Sequence, residues 1–268
     1  MENKIYATAD EVIADIPDGV SIALHDWLFC GIPSHLIAAI VRRGIKDITL
    51  LCTNFMPLPI FESDLPGPAS LLPQLKRLIT PGVATARHGV PADFLNDLTN
   101  RVKSGRLEIE VLPHGVFIEK LHAAAMGLGG FYEPVGLGTI VEEGKEKKVI
   151  DGKEYFLEKP FKPDVGLVKA YKADKLGNLA YRGASRGTNP NIAMASRLTI
   201  AEVDEVVEVG EIDPEMVVTS GLFVDRVVKI PEGAVGSAKR KNEMIRNALA
   251  NELLRKIMLA PAEKGGAE

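Results

Sequence analysis

The sequence is poor in cysteine and in long apolar runs. Its 268 residues include only two cysteines, Cys30 and Cys52, which is too few for a disulfide framework, so we expect a reducing, cytoplasmic environment. The apolar runs are too short to cross a bilayer, and no basic segment followed by an apolar run opens the chain. We therefore expect neither a membrane span nor a signal peptide.

Positive charge is scarce as well. The formal net charge is −4, and the one basic run is residues 239–241. A nucleic-acid groove requires a larger positive stripe, so we expect no nucleic-acid partner. With 46% hydrophobic and 25% charged residues, the composition is that of a globular protein long enough to bury a substantial core.

Apolar runs and amphipathic segments alternate along the first half, which predicts parallel strands joined by right-handed helical crossovers. We expect an α/β fold whose sheet is covered by helices on both faces. The predicted helices are residues 10–16, 35–43, 71–79, 91–103 and 114–125. The predicted strands are residues 20–24, 47–53, 83–87, 107–112, 148–150, 154–157, 164–170, 179–181, 198–203, 206–209 and 216–219.

Residues 18–44 carry the clearest local signal for a ligand site. A short apolar strand leads through the loop 25–33 into a helix that Ser34 can cap and that Gly44 ends. A strand that feeds a helix N-terminus through a tight loop is where open α/β sheets bind acidic or polar ligands. The capping-box pair Thr8 and Glu11 predicts the start of the first helix.

The rest of the chain is less regular. Residues 54–68 carry four prolines and predict a loop, and Asp151-Gly152 predicts a hairpin turn. The spacing of apolar residues in 239–259 predicts an amphipathic helix. We expect two units, a main domain over residues 1–236 and a helical tail over 237–268.

Three blocks in order resemble one enzyme family. They are residues 127–151 (GLGGFYEPVGLGTIVEEGKEKKVID), 174–195 (DKLGNLAYRGASRGTNPNIAMA) and 203–217 (VDEVVEVGEIDPEMV). Together they resemble the α subunit of type I CoA-transferases of the acetate/3-oxoacid class, and the resemblance runs from about residue 10 to residue 228. It implies a three-layer α/β/α open, mostly parallel sheet with a C-terminal helix, paired with a homologous β subunit in a heterodimer or heterotetramer.

The resemblance also implies an activity, the transfer of CoA between an acyl-CoA and a short-chain or 3-oxo carboxylic acid. In the family a β-subunit glutamate attacks the thioester and then carries CoA as a glutamyl-CoA thioester. The motif that bears that glutamate is absent here, so we expect no catalytic nucleophile in this chain and no activity without the partner. Coenzyme A thioester is the expected substrate, and no permanently bound cofactor or metal is expected. The alternative is an acyl-CoA decarboxylase or hydrolase on the same fold.

The loop after the first long strand departs from the family's signature of two glycines and a phenylalanine. His25, Asp26 and Trp27 stand in those positions, while Gly31 and Pro33 keep the later part. Either the acyl or CoA pocket is reshaped, or the loop keeps its path and changes only its side chains. His25 beside Asp26 suggests an acid–base pair, although sequence neighbours on an extended loop usually point apart.

The resemblance and the glycine-rich block together give the candidate site. Glu119, which shares a helix face with His122, is a third acid–base candidate beside His25 and Asp26, and His88 is a further residue expected to reach the cleft. Cys30 is either a thiol activated at a helix N-terminus or a small packed residue. Asn178 contacts substrate or stabilises its turn. The residues predicted to bind substrate or CoA are His25, Asp26, Trp27, Leu28, Phe29, Cys30, Gly31, Gly129, Gly130, Phe131 and Asn178.

Overall fold

The computed structural model describes residues 3–26, 30–55, 57, 66–83 and 90–231. Its strands, in chain order, are β1 (Ile5–Tyr6), β2 (Ser21–Leu24), β3 (Ile48–Cys52), β4 (Leu75–Thr80), β5 (Glu108–Val111), β6 (Phe131–Glu133), β7 (Lys147–Ile150), β8 (Lys153–Glu158), β9 (Val165–Asp174), β10 (Leu179–Ala180), β11 (Leu198–Val207) and β12 (Arg226–Lys229). Its α-helices are α1 (Ala9–Val12), α2 (Ser34–Arg43), α3 (Ala92–Lys103), α4 (His114–Ala125) and α5 (Asn189–Ala195).

A large parallel sheet organises the chain. Its order is β1-β12-β11-β9-β2-β3-β4-β5, every neighbouring pair is parallel, and β10 adds an antiparallel strand to β9. The first six residues of β9 are all buried, as expected of a central strand that is covered on both faces. The predicted α/β fold with an open, mostly parallel sheet is confirmed.

Two apolar cores lie on opposite faces of this sheet. One core contains α1, α2 and α3, with Leu36 and Leu98 against β2 and β3. The other contains α4 and α5, with Phe117 and Ile192 against the alternate residues of the same strands. The sheet is therefore the middle of three layers, and each strand presents one set of side chains to each helical layer.

The chain reverses its direction of winding between β2 and β9. After β2 it runs outward through β3, β4 and β5, and it then returns to place β9 on the other side of β2 and β11 beyond β9. The crossover α2 packs in one core and the crossover α5 in the other. This is a topological switch point, where the loops that follow the two strands part and leave a crevice at the carboxyl edge of the sheet.

The register of the pair β2–β9 is fixed where the strands begin. The carboxylate of Asp164 accepts hydrogen bonds from the main-chain N–H and the hydroxyl of Ser21 at 3.0 and 2.6 Å, and the Asp164 N–H donates to the Ser21 hydroxyl at 2.9 Å. The hydrogen bonds from Ser21 hold the pKa of Asp164 below its usual range. Since a slip of one residue would turn every side chain of a strand to the opposite face, this contact determines which helical layer each residue meets.

A separate three-stranded antiparallel sheet has the order β6-β8-β7. The turn between β7 and β8 has positive φ at Asp151 and Gly152, 50° and 77°, which confirms the predicted hairpin turn. The sheet is attached to α4 by an ion pair of 2.6 Å between Lys120 and Glu158, both buried. The connection between α4 and β9 thus carries a small sheet of its own.

Two other predictions agree closely with the structure, and two are wrong. The predicted helices 91–103 and 114–125 are confirmed as α3 and α4. The helix predicted over residues 71–79 is instead a 3-10 helix, Pro68–Gln74, followed by β4. Pro73 cannot donate to an α-helical ladder, and the following leucine-rich segment fills the gap between β3 and β5.

The strand predicted over residues 216–219 is the second error. The structure has a 3-10 helix there, Pro214–Met216, and only Thr219 bridges to Leu179. The predicted strands 198–203 and 206–209 are one strand, β11, which ends at Val207. Of the strand predicted over 83–87, Val83 forms a bridge with Phe55, and residues 84–89 lie outside the described part of the chain.

The sequence analysis did not predict four short elements, β1, β6, α5 and β12, which have between two and seven residues. Segments of this length carry too few residues to show a periodicity. Most of the predicted loop 54–68 and the predicted tail helix 239–259 lie outside the described residues. Within the described ranges, no helix is long and apolar enough to cross a membrane.

The predicted cap of α2 is also wrong, and what replaces it is a long-range contact. Ser34 is the first helical residue and makes no capping bond; Pro33 occupies the N-cap position. The buried carboxylate of Glu202, on β11, accepts from the main-chain N–H groups of His35 and Leu36 at 2.8 and 3.1 Å. Because proline has no side-chain acceptor, the helix N-terminus is satisfied by a strand from the other half of the chain.

A buried lysine completes this network. Lys169 lies beside Glu202 in the register of β9 and β11, and its Nζ is 3.6 Å from a Glu202 oxygen and 2.9 Å from Asp204. Glu202 is fully buried, so its charge is stabilised by the helix N-terminus and by this lysine. The network joins α2, β9 and β11 at the carboxyl edge of the sheet.

We expect Glu202→Ala to lower the free energy of unfolding by about 3 kcal/mol or more, because it removes two charge-assisted capping bonds and one partner of a buried lysine. Urea denaturation of the full chain, followed by far-UV circular dichroism, measures this loss. Glu208→Ala is the matched control, since its carboxylate is largely exposed and pairs only with the exposed Lys175. Equal losses in the two variants would contradict the capping role.

Candidate active site

The candidate site lies at the switch point, where the loop after β2 meets the connection between β9 and β11. His25 and Asp26 are the first two residues beyond β2, and both are buried. The alternation of the strand continues through them: His25 follows Ala23 into the layer of α4 and α5, and Asp26 follows Leu24 into the layer of α2. Their side chains therefore belong to opposite faces of the sheet.

His25 is held against the connection that leads into α5. Its Nδ1 is 2.8 Å from the Thr188 hydroxyl oxygen, and the Thr188 main-chain N–H donates to the same nitrogen at 3.5 Å. Nε2 is buried and has no hydrogen-bond partner among the residues that the structure describes. Burial, with a smaller contribution from the charge of His114, lowers the pKa of His25 from 6.5 to about 4, so the ring is neutral at physiological pH.

Two glycines allow this close approach. Gly31 has φ +69°, and a Cβ there would lie 2.4 Å from the Ser185 carbonyl oxygen and 3.0 Å from the His25 ring. Gly187 has φ +36°, and a Cβ there would lie 2.3 Å from Cε1 and Nε2 of His25. Both positions require a positive φ and the absence of a side chain. The predicted site residue Gly31 thus has a packing role beside His25.

Asp26 occupies a different environment. Its main-chain N–H donates to the Thr53 hydroxyl oxygen at 3.0 Å, and the Thr53 hydroxyl donates to its carbonyl oxygen at 2.5 Å. Burial raises the pKa of the Cys52 thiol, and the charge of Asp26 adds to that effect. Burial lowers the pKa of His25. The acid–base pair that the adjacency of the two residues suggested stays a prediction.

The remaining loop residues are placed as follows. Cys30 is partly buried and is a free thiol. Trp27, Leu28 and Phe29, predicted to contact substrate, lie outside the described residues, and so does His88. Their predicted roles stay predictions.

Three further predicted site residues, Gly129, Gly130 and Phe131, lie at the start of the small antiparallel sheet. Phe131 pairs with Glu158 in β6–β8, and a Cβ on Gly130 would lie 2.8 Å from the Glu158 carbonyl oxygen. Gly129 is exposed beside them, and a Cβ there would meet no atom within 4 Å. No described contact joins these three residues to His25, so the structure places them in a second cluster.

Asn178 and Glu119 make local contacts. The Asn178 side chain donates to the Asp174 carboxylate at 2.7 Å and accepts from the Gly221 N–H at 2.8 Å, which ties together the turn after β9. Glu119 is 3.2 Å from His122 Nδ1 on the exposed face of α4. No group of three or more metal-ligating side chains occurs within the described ranges.

Sequence reasoning missed the residues that face His25 from the second connection. Asn189 is fully buried; its Nδ2 donates to the carbonyl oxygens of Gly31 and Ser185 at 3.1 and 2.9 Å, and its Oδ1 accepts from the Lys169 N–H at 3.1 Å. Asn189 thereby joins the loop after β2 to the central strand. The Asn-Pro pair of the second sequence block was visible in the sequence. Its contact with Gly31, 158 positions earlier in the chain, could not be predicted from that pair.

Comparisons with known proteins agree with this architecture. The family model for coenzyme A transferase matches residues 6–230. The chain is 38% identical over 242 residues to the A subunit of 3-oxoadipate CoA-transferase from Pseudomonas putida, covering 88% of this chain and 98% of that protein. It is 35% identical over 230 residues to the alpha subunit of acetate CoA-transferase from Escherichia coli K12, covering 85% and 97%.

A solved structure shows how far the fold extends. A variant of the decarboxylase AibA/AibB superposes with a TM-score of 0.69 at 24% identity, covering 96% of this chain and 99% of that one. At this identity the likeness concerns the fold alone. Proteins named for two different reactions therefore share this fold.

We expect His25 to contribute to the pH dependence of stability. The folded-state pKa of about 4 lies below the ordinary 6.5, so the folded protein binds fewer protons than the unfolded chain between these values. Above pH 6.5 His25 is neutral in both states and leaves the free energy of unfolding unchanged. As the pH drops towards 4, only the unfolded chain takes up the proton, and the free energy of unfolding falls by about 3 kcal/mol. His25→Asn should flatten the decline in urea midpoint between pH 6.5 and about 4.5.

His122→Asn is the control for this experiment, because the His122 side chain is half-exposed on the surface of α4. It should keep the wild-type profile. A wild-type profile in His25→Asn as well would contradict the neutral, buried state of His25.

Proposed function

This chain belongs to the coenzyme A transferase family, and from that membership we propose that it is the A subunit of a two-subunit enzyme that moves CoA between an acyl-CoA and a short-chain or 3-oxo carboxylic acid. The match of the family model over residues 6–230 carries the proposal. The relatives at 35–38% identity are A or alpha subunits, and their names include a 3-oxo acid and acetate. The partner is a homologous B subunit, and the complex works in the cytoplasm.

The proposed reaction passes through the partner subunit. A glutamate carboxylate of the B subunit attacks the thioester carbonyl carbon. CoA leaves as a thiolate, and the acyl group and the glutamate are then joined as a mixed anhydride. The thiolate then attacks the glutamyl carbonyl carbon, which releases the first carboxylate and leaves a glutamyl-CoA thioester. The acceptor carboxylate repeats the two steps in reverse, so that the new acyl-CoA forms and the glutamate is regenerated.

The arrangement of carboxylates in this chain supports a nucleophile on the partner. Glu202 lies at the carboxyl edge of the sheet, but it is fully buried; one of its oxygens accepts from the N-terminus of α2, and the other is 3.6 Å from Nζ of Lys169. Its engagement stabilises the fold and leaves it unsuited to attack a thioester. In this proposal the chain supplies a wall of the acyl site, formed by the loop after β2 and the connection into α5.

The covalent intermediate is the direct test. We expect the chain, co-expressed with its B subunit, purified as the complex and incubated with succinyl-CoA, to yield a glutamyl-CoA adduct on the B subunit. Mass spectrometry of the intact subunits measures the adduct, and hydroxylamine should remove it. Without its partner, the chain should neither form an adduct nor transfer CoA.

The same incubation separates transfer from the alternative reactions. Release of CO₂ or free CoA without an acceptor acid, in the absence of an adduct, would overturn the transferase proposal in favour of a decarboxylase or hydrolase. Transfer of CoA to an added carboxylic acid supports it. No permanently bound cofactor is required in either subunit.

A further inference from the structure

We propose that His25 determines acyl specificity by donating a hydrogen bond from Nε2 to an oxygen atom on the acyl chain of the substrate. The inference rests on the proposed function and specifies its substrate class, which is acids that carry an oxygen beyond the reacting carboxylate. It concerns the residue with which this chain departs from the glycine of the family's signature.

The contacts of Nδ1 determine which nitrogen carries the proton. The Thr188 main-chain N–H donates to Nδ1, and a nitrogen that accepts must present its lone pair. The Thr188 hydroxyl, 2.8 Å away, is then a second donor to Nδ1. With the ring neutral, these two contacts favour the tautomer that carries its single hydrogen on Nε2, which is the donor in this proposal.

The donor at Nε2 is buried and lacks an acceptor within the described part of the chain. The side chain of His25 is 4% exposed. A buried N–H without an acceptor is destabilising, so such a group points to a water, an ion or a ligand that completes it. His25 lies at the switch point, where open parallel sheets bind their ligands.

Gly187 lies directly against the Cε1–Nε2 edge of the His25 ring. It belongs to residues 182–187, which we call the strap; apart from the partly buried Ser185, its residues are exposed. The strap is held by Asn189, which donates to the Ser185 carbonyl oxygen. In this proposal Gly187 shifts when substrate binds, and an oxygen of the substrate takes the space beside Nε2.

The chemistry of this donor sets the substrate class. A neutral imidazole N–H pairs with a ketone, hydroxyl or carboxylate oxygen, whereas a methylene in the same place leaves the donor unpaired. Sites that hydrogen-bond a substrate oxygen discriminate strongly against analogues that lack it. Acids of equal length with and without such an oxygen should therefore differ in kcat/KM.

The test compares 3-oxobutanoate with butanoate as acceptors, with succinyl-CoA as donor and the enzyme in its complex with the B subunit. Wild type should prefer 3-oxobutanoate. His25→Asn keeps an acceptor for Thr188 but has no atom at the Nε2 position, so the ratio of the two kcat/KM values should fall about tenfold or more. His25→Gln returns an amide N–H to that region and should recover part of the ratio.

Gly187→Ala gives an independent test that leaves His25 in the chain. Its Cβ would lie 2.3 Å from Cε1 and Nε2 of His25, so the ring or the main chain at residue 187 must shift and the donor leaves its position; the same loss of the ratio is expected. His122→Asn is the matched control and should keep the wild-type ratio. Because the donor is the neutral ring, the ratio should also stay constant between about pH 6 and 8.

The outcomes separate this inference from the proposed function. CoA transfer with an unchanged ratio in His25→Asn and in Gly187→Ala would overturn the role of His25 and leave the transferase assignment intact. A preference of wild type for butanoate would also overturn it. Absence of transfer and of the glutamyl-CoA adduct in wild type would overturn the proposed function itself, and this inference with it.

Discussion

The parallel pairing of β2 with β9 is the constraint on which the rest of the structure depends. It joins segments about 140 residues apart, and the reciprocal hydrogen bonds between Ser21 and Asp164 fix its register. That register sends His25 to one helical layer and Asp26 to the other. The same pairing creates the reversal of winding, so the position of the crevice and the residues beside it have a single physical origin.

Local signals predicted the elements that are complete within a short stretch of sequence. The helix 114–125 and the Asp151-Gly152 hairpin are examples, because periodicity and turn chemistry are visible in single segments. The helix predicted over residues 71–79 was wrong because the structure there depends on distant parts of the chain. The leucines of this segment suit a helix in isolation, and pairing with β3 and β5 makes its second half the strand β4. The resemblance supplied the family and the overall fold, which composition and periodicity alone would have left at the α/β class.

The candidate site was predicted in part. His25, Asp26 and Gly31 were identified from the loop after β2, and the structure places His25 beside Gly31 while separating it from Asp26. Thr188 and Asn189 come from a connection that follows the chain's return to the centre of the sheet. Their contacts depend on tertiary topology, which no local pattern encodes.

The cap of α2 has a consequence for how the chain folds. Glu202 meets the main chain of His35 at a sequence separation of 167 residues, so the first βα unit stays incomplete until β11 has been synthesised and paired. Contacts of this kind raise the contact order and slow folding. During translation the N-terminal half emerges with its helix start uncapped, and the last long strand of the sheet closes it. The first crossover and the final strands therefore become native together, so the unfinished sheet keeps unpaired strand edges until β11 is in place.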